Sequence, residues 1–408
     1  MNILVIAQLF PPDMGGGSTR AYNAVMGLLS SSCRVTVVAA FPHYPTGNIP
    51  QRYRHRLLVV ENNAMLKVIR TWVPPLASKG IVNRLVLFIS FIVSSLFAFP
   101  FVKEIDVVWA ANPNIFSVFP AIFYGKVRSC PVVQNIDDPW PDALYDLDFF
   151  KRSWLRRVAE LVSKFSYISS EALTPISPSY LELLVKKYGI NEEKIFIIPA
   201  GVDLKRFARA RAILKKRKME TNFTVTYIGS FSIFYDFDQV LKAAELLSTE
   251  DNIRILIQGS GELANTIKLK AKMMNLSNII IMNKIVSREE VARILNDSDA
   301  LLLPLSVRAR KTGISSKLYE YQAAGKPIIC CSTGMPGRYV FETGSGLVVE
   351  PGDYEGLARS ILYLRDRPGV AEGFGEKGRR YVESNLSVEK IGLKMRKLFE
   401  DLTKISVR

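Results

Sequence analysis

The chain has 408 residues, of which 48% are hydrophobic and 23% charged, and a formal net charge of +16. This length predicts two or three domains, and the apolar content excludes an intrinsically disordered protein. The positive charge favours an anionic partner, such as nucleic acid, anionic lipid or a phosphorylated small molecule.

Cysteine and histidine are too scarce for a zinc site or a disulfide framework. The chain has four cysteines without a Cys-x-x-Cys pair and two histidines, His43 and His55. The cytoplasm, or its membrane face, is therefore the expected location. The N-terminus, MNILVIAQLF, has no basic segment before its apolar one, so we interpret it as a buried strand and not as a signal peptide.

Short apolar runs alternate with helical patterns along the first half of the chain. Because the runs are continuous, they indicate strands buried on both faces of a parallel sheet that helices cover. The runs are NILVIA (2–7), RVTVVAA (34–40), LKVIRTW (66–72), DVVWAA (106–111), PVVQNI (131–136), LTPIS (173–177) and KIFIIPA (194–200).

A glycine-rich turn, PPDMGGGSTR, follows the first predicted strand. Glycines 15–17 let the backbone approach a ligand closely, and ligands of open parallel sheets bind at the carboxyl ends of strands. Tight packing between a helix and the sheet is the alternative explanation. His43 follows the second predicted strand, and we favour a role in shaping the wall of a substrate pocket over a role as catalytic base.

One apolar segment, 85–102, runs for 18 residues without a charge. This length is at the lower limit for crossing a bilayer, and Pro100 weakens it further. We favour a helix buried in an α/β domain, with its end dipping into a membrane surface, over a true span. Trp154, which lies among basic residues in KRSWLRR, favours the same membrane contact.

The strand rhythm restarts after a basic stretch, 205–222, which we interpret as a solvated linker helix, with contact to acidic lipid headgroups as the alternative. Two Rossmann-like domains, 1–202 and 203–386, are therefore expected, and an amphipathic tail, 387–408, is expected to pack back on the first. The runs of the second domain are FTVTYIG (223–229), IRILIQG (253–259), NIIIMN (278–283), ALLLPL (300–305), KPIICC (326–331) and GLVVEP (346–351).

The second domain opens on its own glycine turn, where a phosphate would bind the amides of Gly229 and Ser230 with help from the following helix dipole. Further on, Lys317 lies in the first turn of a predicted helix, where a cation is unfavourable unless an anion is bound. Glu320 lies about one turn later on the same face. This pair suits a nucleotide diphosphate, with Lys317 and Arg308 on phosphates and Glu320 on ribose hydroxyls; an ordinary exposed Lys–Glu pair is the alternative.

Asp-x-Asp spacings occur at 146/148, 236/238 and 297/299, and in some enzymes such pairs bind a metal ion with a diphosphate. The spacing is frequent by chance. We interpret the second pair as stabilising the N-terminus of the next helix and the third as a turn before a strand, so no metal site is predicted.

Four ordered motifs resemble the group 1 glycosyltransferases of family 4, which have the GT-B fold of two Rossmann-like domains facing across a cleft. They are FPPDMGGGSTRAYNAVMGLL, IIPAGVDLKRF, IGSF…LKAAELL and SKLYEYQAAGKPII, and the match covers nearly the whole chain. FPHYPTGNI and NIDDPWPDAL resemble most the subgroup that adds amino or deoxy sugars to lipid carriers in surface-glycan assembly.

The resemblance implies a retaining transfer from a nucleotide sugar to a lipid-linked or glycan acceptor, without a cofactor or an essential metal. Carried over to this chain, Glu320 binds the ribose, and Gly15 and Gly16 line the donor phosphates and sugar. Arg20 and His43 lie on the acceptor side.

The chain also departs from the family. Thr312 stands where most members have a glutamate that touches the donor sugar, so donor-sugar recognition is expected to differ. The cations that usually follow the second glycine turn are missing from SFSIFYDFD. We expect compensation from Lys317 above all, and from Arg308, Arg310 and Lys311.

A further departure concerns the histidine that often follows the fifth strand. Asp137 and Asp138 lie at that place, and we expect one of them to supply the polar contact at the sugar.

Three other classes of function fit the sequence less well. A nucleotide-sugar epimerase would need acid–base groups in the first domain, where both histidines lie within 43–55. A non-catalytic protein that binds sugar nucleotide or a partner is favoured by Thr312 but disfavoured by Glu320 and Lys317. A nucleic-acid-binding protein would show a recognisable module, and none is present. We therefore expect a cytoplasmic hexosyltransferase that is peripheral on the inner face of the cell membrane.

Overall fold

The computed structural model describes residues 1–78, 80–111, 115–147, 152–214, 222–309 and 312–406. The chain divides into two compact units, Met1–Gly201 with Val388–Arg408, and Val202–Ser387. The predicted divisions, at 202/203 and 386/387, differ from these by one residue.

The first unit contains a seven-stranded sheet in the order β3-β4-β2-β1-β5-β6-β7. Its strands are β1 (Asn2–Ile6), β2 (Arg34–Ala40), β3 (Leu58–Asn63), β4 (Leu66–Thr71), β5 (Val107–Ala110), β6 (Val132–Ile136) and β7 (Ala172–Pro175). Strand β3 pairs antiparallel with β4, whereas the other pairings are parallel. The sequence analysis missed β3, because an edge strand whose side chains are at most half-buried has a weak apolar signal.

One predicted strand of the first unit is wrong. Residues 194–200 form no strand, and only Ile195 bridges to Leu173. Phe196 is 38% and Ile197 37% exposed, and the amides of Phe196 and Ile198 donate to the carbonyls of Leu173 and Pro175, so the run lies along the edge strand β7 without forming a regular strand.

The second unit contains a six-stranded parallel sheet in the order β10-β9-β8-β11-β12-β13. All six strands fall on predicted runs. They are β8 (Phe223–Ser230), β9 (Ile253–Ser260), β10 (Ile279–Asn283), β11 (Ala300–Pro304), β12 (Ile328–Cys331) and β13 (Gly346–Val349).

Helices cover both sheets. Those of the first unit are α1 to α4 and α13, and those of the second are α5 to α12. Their bounds are α1 Gly16–Ser30, α2 Ile81–Leu96, α3 Val118–Arg128, α4 Ser153–Ile168, α5 Leu204–Leu214, α6 Phe237–Leu246, α7 Ala264–Met273, α8 Arg288–Asp297, α9 Ser316–Ala324, α10 Met335–Glu342, α11 Tyr354–Asp366, α12 Pro368–Asn385 and α13 Val388–Ser406.

Of the basic stretch 205–222, which we expected to be a solvated linker helix, residues 205–214 pack within the second unit, and residues 215–221 lie outside the described residues. Its described part forms α5, which packs against α8 and α9 of the second unit. Phe207 is buried, and Arg211 donates hydrogen bonds to the carbonyls of Ala323 and Ala324. The sequence analysis missed the buried apolar side of α5 because the stretch is rich in cationic residues.

The apolar segment 85–102 forms most of α2, followed by a short 3₁₀ turn, Phe99–Phe101. Leu87 and Phe91 on one side of α2 are buried against the sheet. Across the described part of the chain, no helix combines the length and hydropathy needed to cross a membrane.

Strand order fixes the faces of the first sheet. The chain leaves β1 in one direction to β2 and later moves in the other, from β4 through β5 and β6 to β7. Right-handed crossovers therefore put α1 on one face and α2, α3 and α4 on the opposite face. Helix α13 packs against α1. In each sheet, the point where the strand order reverses, between β1 and β5 or between β8 and β11, is where ligands of such sheets bind.

Candidate functional site

Gly229 and Ser230, the predicted glycine turn of the second domain, are the last two residues of β8, where they pair with Gly259 and Ser260 of β9. Gly229 has a φ of +153°, a backbone angle that residues with a Cβ atom rarely adopt. A Cβ added at Gly229 would overlap the Cε of Lys317 and would lie 3.0 Å from its Nζ. The absence of a side chain at Gly229 therefore leaves room for the lysine at the turn.

Lys317 extends from the first turn of α9 to this glycine. Its Nζ donates a hydrogen bond of 3.0 Å to the hydroxyl of Tyr235 and lies 5.3 Å from the centre of that ring. The hydroxyl of Ser315 caps α9 by accepting from the Lys317 amide at 3.4 Å. A cation and a helix N-terminus thus meet at the reversal point between β8 and β11, as an anion site requires.

Glu320 lies one turn further along α9 and is half-buried. Burial raises the pKa of its carboxyl, while the nearby charges of Arg206, Lys317 and Arg288 oppose that rise. Among the described residues its carboxylate accepts no hydrogen bond, so it can accept from a ligand. The sequence analysis missed Arg206 and Arg288, since their approach depends on how α5 and α8 pack against α9.

The other predicted donor residues are less closely joined to this cluster. The Thr312 hydroxyl donates to the Ala309 carbonyl at 2.8 Å, within its own turn. Arg308 is exposed in a 3₁₀ turn, and no described contact links it to Lys317. The Ser230 carbonyl accepts a 2.6 Å hydrogen bond from Tyr227. Arg310 and Lys311 lie outside the described residues.

The acidic pairs have structural roles where they are described. Asp236 caps α6 by accepting from the Gln239 amide at 3.0 Å, and Asp299 accepts from the Thr224 amide at 2.7 Å. Asp148, of the first pair, lies outside the described residues. In the part of the chain that the structure describes, no three metal-binding side chains cluster in a way that could hold an ion.

A cavity of about 270 Å³ opens in the first unit. It lies at the reversal point between β1 and β5, as expected for a ligand site. Gly15, Gly16 and His43, all predicted from the sequence, line it together with Arg84 and Phe88 of α2. Its wall is therefore mixed, with one cation, one imidazole and the aromatic rings of Tyr44 and Phe88.

Asp13 fixes the loop that carries His43. Its carboxylate accepts from the amides of His43 and Tyr44 at 2.9 and 2.8 Å, and burial raises its pKa. The His43 Nδ1 lies 2.8 Å from the Phe41 carbonyl, which can only accept, so Nδ1 carries the hydrogen. In the neutral ring Nε2 is then a hydrogen-bond acceptor. The sequence analysis missed Asp13, although it stands just before the glycines.

Asp137 is fully buried and paired with Arg20. Its Oδ2 lies 3.1 Å from the Arg20 Nε, and its Oδ1 accepts from the Asn135 amide group at 2.8 Å. Burial, with a smaller effect from Asp138, raises the pKa of Asp137 to about 6 against the opposing effect of Arg20. Asp138 is exposed and accepts a 3.4 Å hydrogen bond from the Tyr180 hydroxyl. The structure thus joins the predicted Arg20 and Asp137 and leaves Asp138 at the surface.

The raised pKa makes stability depend on pH. Between pH 3.8 and about 6, the folded state holds a proton on Asp137 that the unfolded state has lost. The free energy of unfolding should therefore fall as pH rises through this window, and Asp137→Asn should remove that part of the slope. Urea unfolding from pH 4 to 7 checks this, with exposed Asp251→Asn as the control. Parallel profiles for the wild type and Asp137→Asn would contradict it.

Two family models match nearly the whole chain. "Glycosyltransferase Family 4" matches residues 14–206, and "Glycosyl transferases group 1" matches residues 209–381.

Curated relatives are identical to this chain at about a quarter of the aligned positions. The chain is 24% identical, over 61% of its length and 65% of the relative's, to a GDP-mannose-dependent monoacylated alpha-(1-6)-phosphatidylinositol monomannoside mannosyltransferase of Corynebacterium glutamicum. It is 24% identical, over 53% of its length and 57% of the relative's, to a UDP-Gal:alpha-D-GlcNAc-diphosphoundecaprenol alpha-1,3-galactosyltransferase of Escherichia coli. The chain thus spans less than two thirds of the length of either relative.

Solved structures resemble the chain over its full length. Sucrose-phosphate synthase from Thermosynechococcus elongatus has a TM-score of 0.77 at 17% identity, over 99% of both chains. Anabaena HepE in complex with UDP-glucose has a TM-score of 0.67 at 12% identity, over 98% of this chain and 100% of that one. At these identities the likeness shows the fold alone. Fold and family models agree, and the chain belongs to the group 1 glycosyltransferases, with two Rossmann-like domains of the GT-B class.

Proposed function

We propose that the chain transfers a hexose from a nucleotide sugar to a lipid-linked or glycan acceptor, with retention and without a metal, in the assembly of a cell-surface polysaccharide or glycoprotein glycan. The single observation that carries this proposal is the cluster at the second glycine turn. There the Lys317 ammonium lies against Gly229, one helical turn from the half-buried Glu320.

The cluster fits the two parts of a nucleotide diphosphate. The Lys317 Nζ donates one hydrogen bond to Tyr235, and its two remaining hydrogens can be donated to phosphate oxygens. Glu320, as a carboxylate, accepts from the ribose hydroxyls. The names of the two curated relatives specify GDP-mannose and UDP-Gal, and HepE was solved with UDP-glucose, which supports a nucleotide-sugar donor.

The cavity of the first unit fits an acceptor hydroxyl. The leaving diphosphate can take the acceptor's proton in a preorganised site, so His43 needs only to orient the hydroxyl through Nε2. Both curated relatives are named for lipid acceptors, a phosphatidylinositol mannoside and a diphosphoundecaprenol. These names support a lipid-linked acceptor, and a position at the inner face of an anionic membrane is part of the proposal.

Thermal unfolding with nucleotides tests the donor site. A ligand that binds only the folded state stabilises it by about 2.7 kcal/mol at 100 times its Kd, so the matching nucleoside diphosphate and its sugar should raise the Tm by several degrees. EDTA should leave the shift unchanged. Lys317→Gln should reduce the shift, and exposed Lys268→Gln should retain it. No shift with any uridine, guanosine, adenosine or thymidine nucleotide would overturn the proposal, and a shift lost in EDTA would overturn its metal independence.

A further inference from the structure

Helix α4 is amphipathic, but it presents its apolar side chains to solvent and packs its small side chains against the domain. They repeat every three or four residues, which makes a single stripe along the helix. Their exposed fractions are Trp154 56%, Val158 49%, Leu161 65%, Phe165 54% and Ile168 55%. Small residues on the other side, Ala159, Ser163 and Ser166, are buried.

The buried serines show that this orientation is stably held. The Ser163 hydroxyl donates to the Trp140 carbonyl at 2.6 Å, and the Ser166 hydroxyl accepts from the Gln134 side-chain amide of β6 at 3.4 Å. Rotating α4 to bury the apolar stripe would break the contact to Trp140 and expose these packed residues. The fold therefore presents the stripe to the outside.

Helix α2 extends the apolar surface, because α2, α3 and α4 cover the same face of the first sheet. Rings connect the three helices sideways: Phe88 to Phe116 at 5.6 Å, Phe116 to Phe119 at 6.1 Å and Phe119 to Phe165 at 6.4 Å. We call this surface the α2–α4 face. Besides the α4 stripe, it consists of the exposed Val82, Leu85, Ile89, Val93 and Phe123.

Cations lie within the α4 stripe. Arg157 and Lys164 are exposed, each next to a stripe position, and neither forms an ion pair within the described residues. Long cationic side chains can place their charges at lipid phosphates while neighbouring apolar groups insert below. A second copy of this chain is a poorer occupant, since a two-fold contact would bring like charges together.

We propose that the α2–α4 face docks on an anionic bilayer, with α4 lying in the headgroup layer, its apolar stripe inserted, and Arg157 and Lys164 on lipid phosphates. The functional role of this membrane contact rests on the proposed transfer to a lipid-linked acceptor. The contact itself requires no turnover, so it can be tested separately.

Flotation of the full-length protein with vesicles tests the proposal. Binding is expected to vesicles of phosphatidylglycerol and phosphatidylcholine, to fall with salt, and to be weak on phosphatidylcholine alone. Leu161→Glu should lower the partition at least about tenfold, because burial of one leucine side chain is lost. Arg157→Ala with Lys164→Ala should lower it about 25-fold, from about fivefold for each cation near an anionic surface.

The matched control is Leu393→Glu. Leu393 is 57% exposed on α13, which packs against α1 on the opposite face of the same sheet, so this variant should bind vesicles like the wild type. The proposal is overturned if the wild type does not float with anionic vesicles, if Leu393→Glu is impaired as much as Leu161→Glu, or if the wild type is a dimer that Leu161→Glu makes monomeric. The nucleotide-induced Tm shift of the same preparations reports separately on the donor site.

Discussion

Replacing Glu320 by glutamine or alanine is expected to abolish most sugar transfer while leaving the fold intact. The carboxylate accepts no hydrogen bond among the described residues, so its removal breaks no internal hydrogen bond. A hydrogen bond to a charged group contributes about 1.5–3 kcal/mol, so losing even one bond to the ribose should lower kcat/KM by at least about tenfold, and losing two by about 100-fold or more. Glutamine keeps the volume and removes only the charge.

The role of Glu320 is tested most sharply with matched nucleotides. For the wild type, 2′-deoxy and 3′-deoxy nucleoside diphosphates should bind more weakly than the ribonucleotide. For Glu320→Gln that difference should shrink, since the partner of the missing hydroxyl is already lost. Glu372→Gln, at an exposed position on α12, is the control. Wild-type turnover in Glu320→Gln, or an undiminished penalty for the deoxy ligands, would contradict the assignment.

The parts of this site that the sequence predicts are those that depend on local spacing. Lys317 and Glu320 lie three residues apart on one helix, and the Ser315 cap and Gly229 turn are likewise local signals. Local spacing does not predict the contacts of Tyr235 and Arg206, or the pairing of Asp137 with Arg20. These residues meet through packing between elements far apart in the sequence, which no periodicity encodes.

The fold shows the same division. Continuous apolar runs predict the buried parallel strands, since both faces of those strands are covered. The run at 194–200 has the same composition, yet it forms no regular strand beside β7, and the edge strand β3 has too little buried surface to stand out. Helix α4 is a further case. Periodicity reveals its apolar stripe but not the direction in which the stripe faces, which depends on the contacts of Ser163 and Ser166 with Trp140 and Gln134.

Replacing Gly229 by alanine is expected to cause the second large loss, in both stability and nucleotide binding. Two costs add at this position. The φ of +153° is strained for any residue with a Cβ, and the new methyl group would overlap the Lys317 Cε. We expect the free energy of unfolding to fall by about 1–3 kcal/mol. Because Lys317 must move away from Tyr235 and the turn, the nucleotide-induced Tm shift should be largely lost.

The two costs can be separated. In a Lys317→Ala background the overlap disappears but the backbone strain remains, so Gly229→Ala should destabilise that variant less than it destabilises the wild type. The control is Gly373→Ala, which lies within α12 with no atom within 4 Å of the added Cβ, and which should be stabilising by about 0.5–1 kcal/mol. If Gly229→Ala costs the same in both backgrounds, Lys317 does not occupy the turn. If it also binds nucleotide as the wild type does, the ligand does not lie on this turn, and the anion site must be sought elsewhere in the second unit.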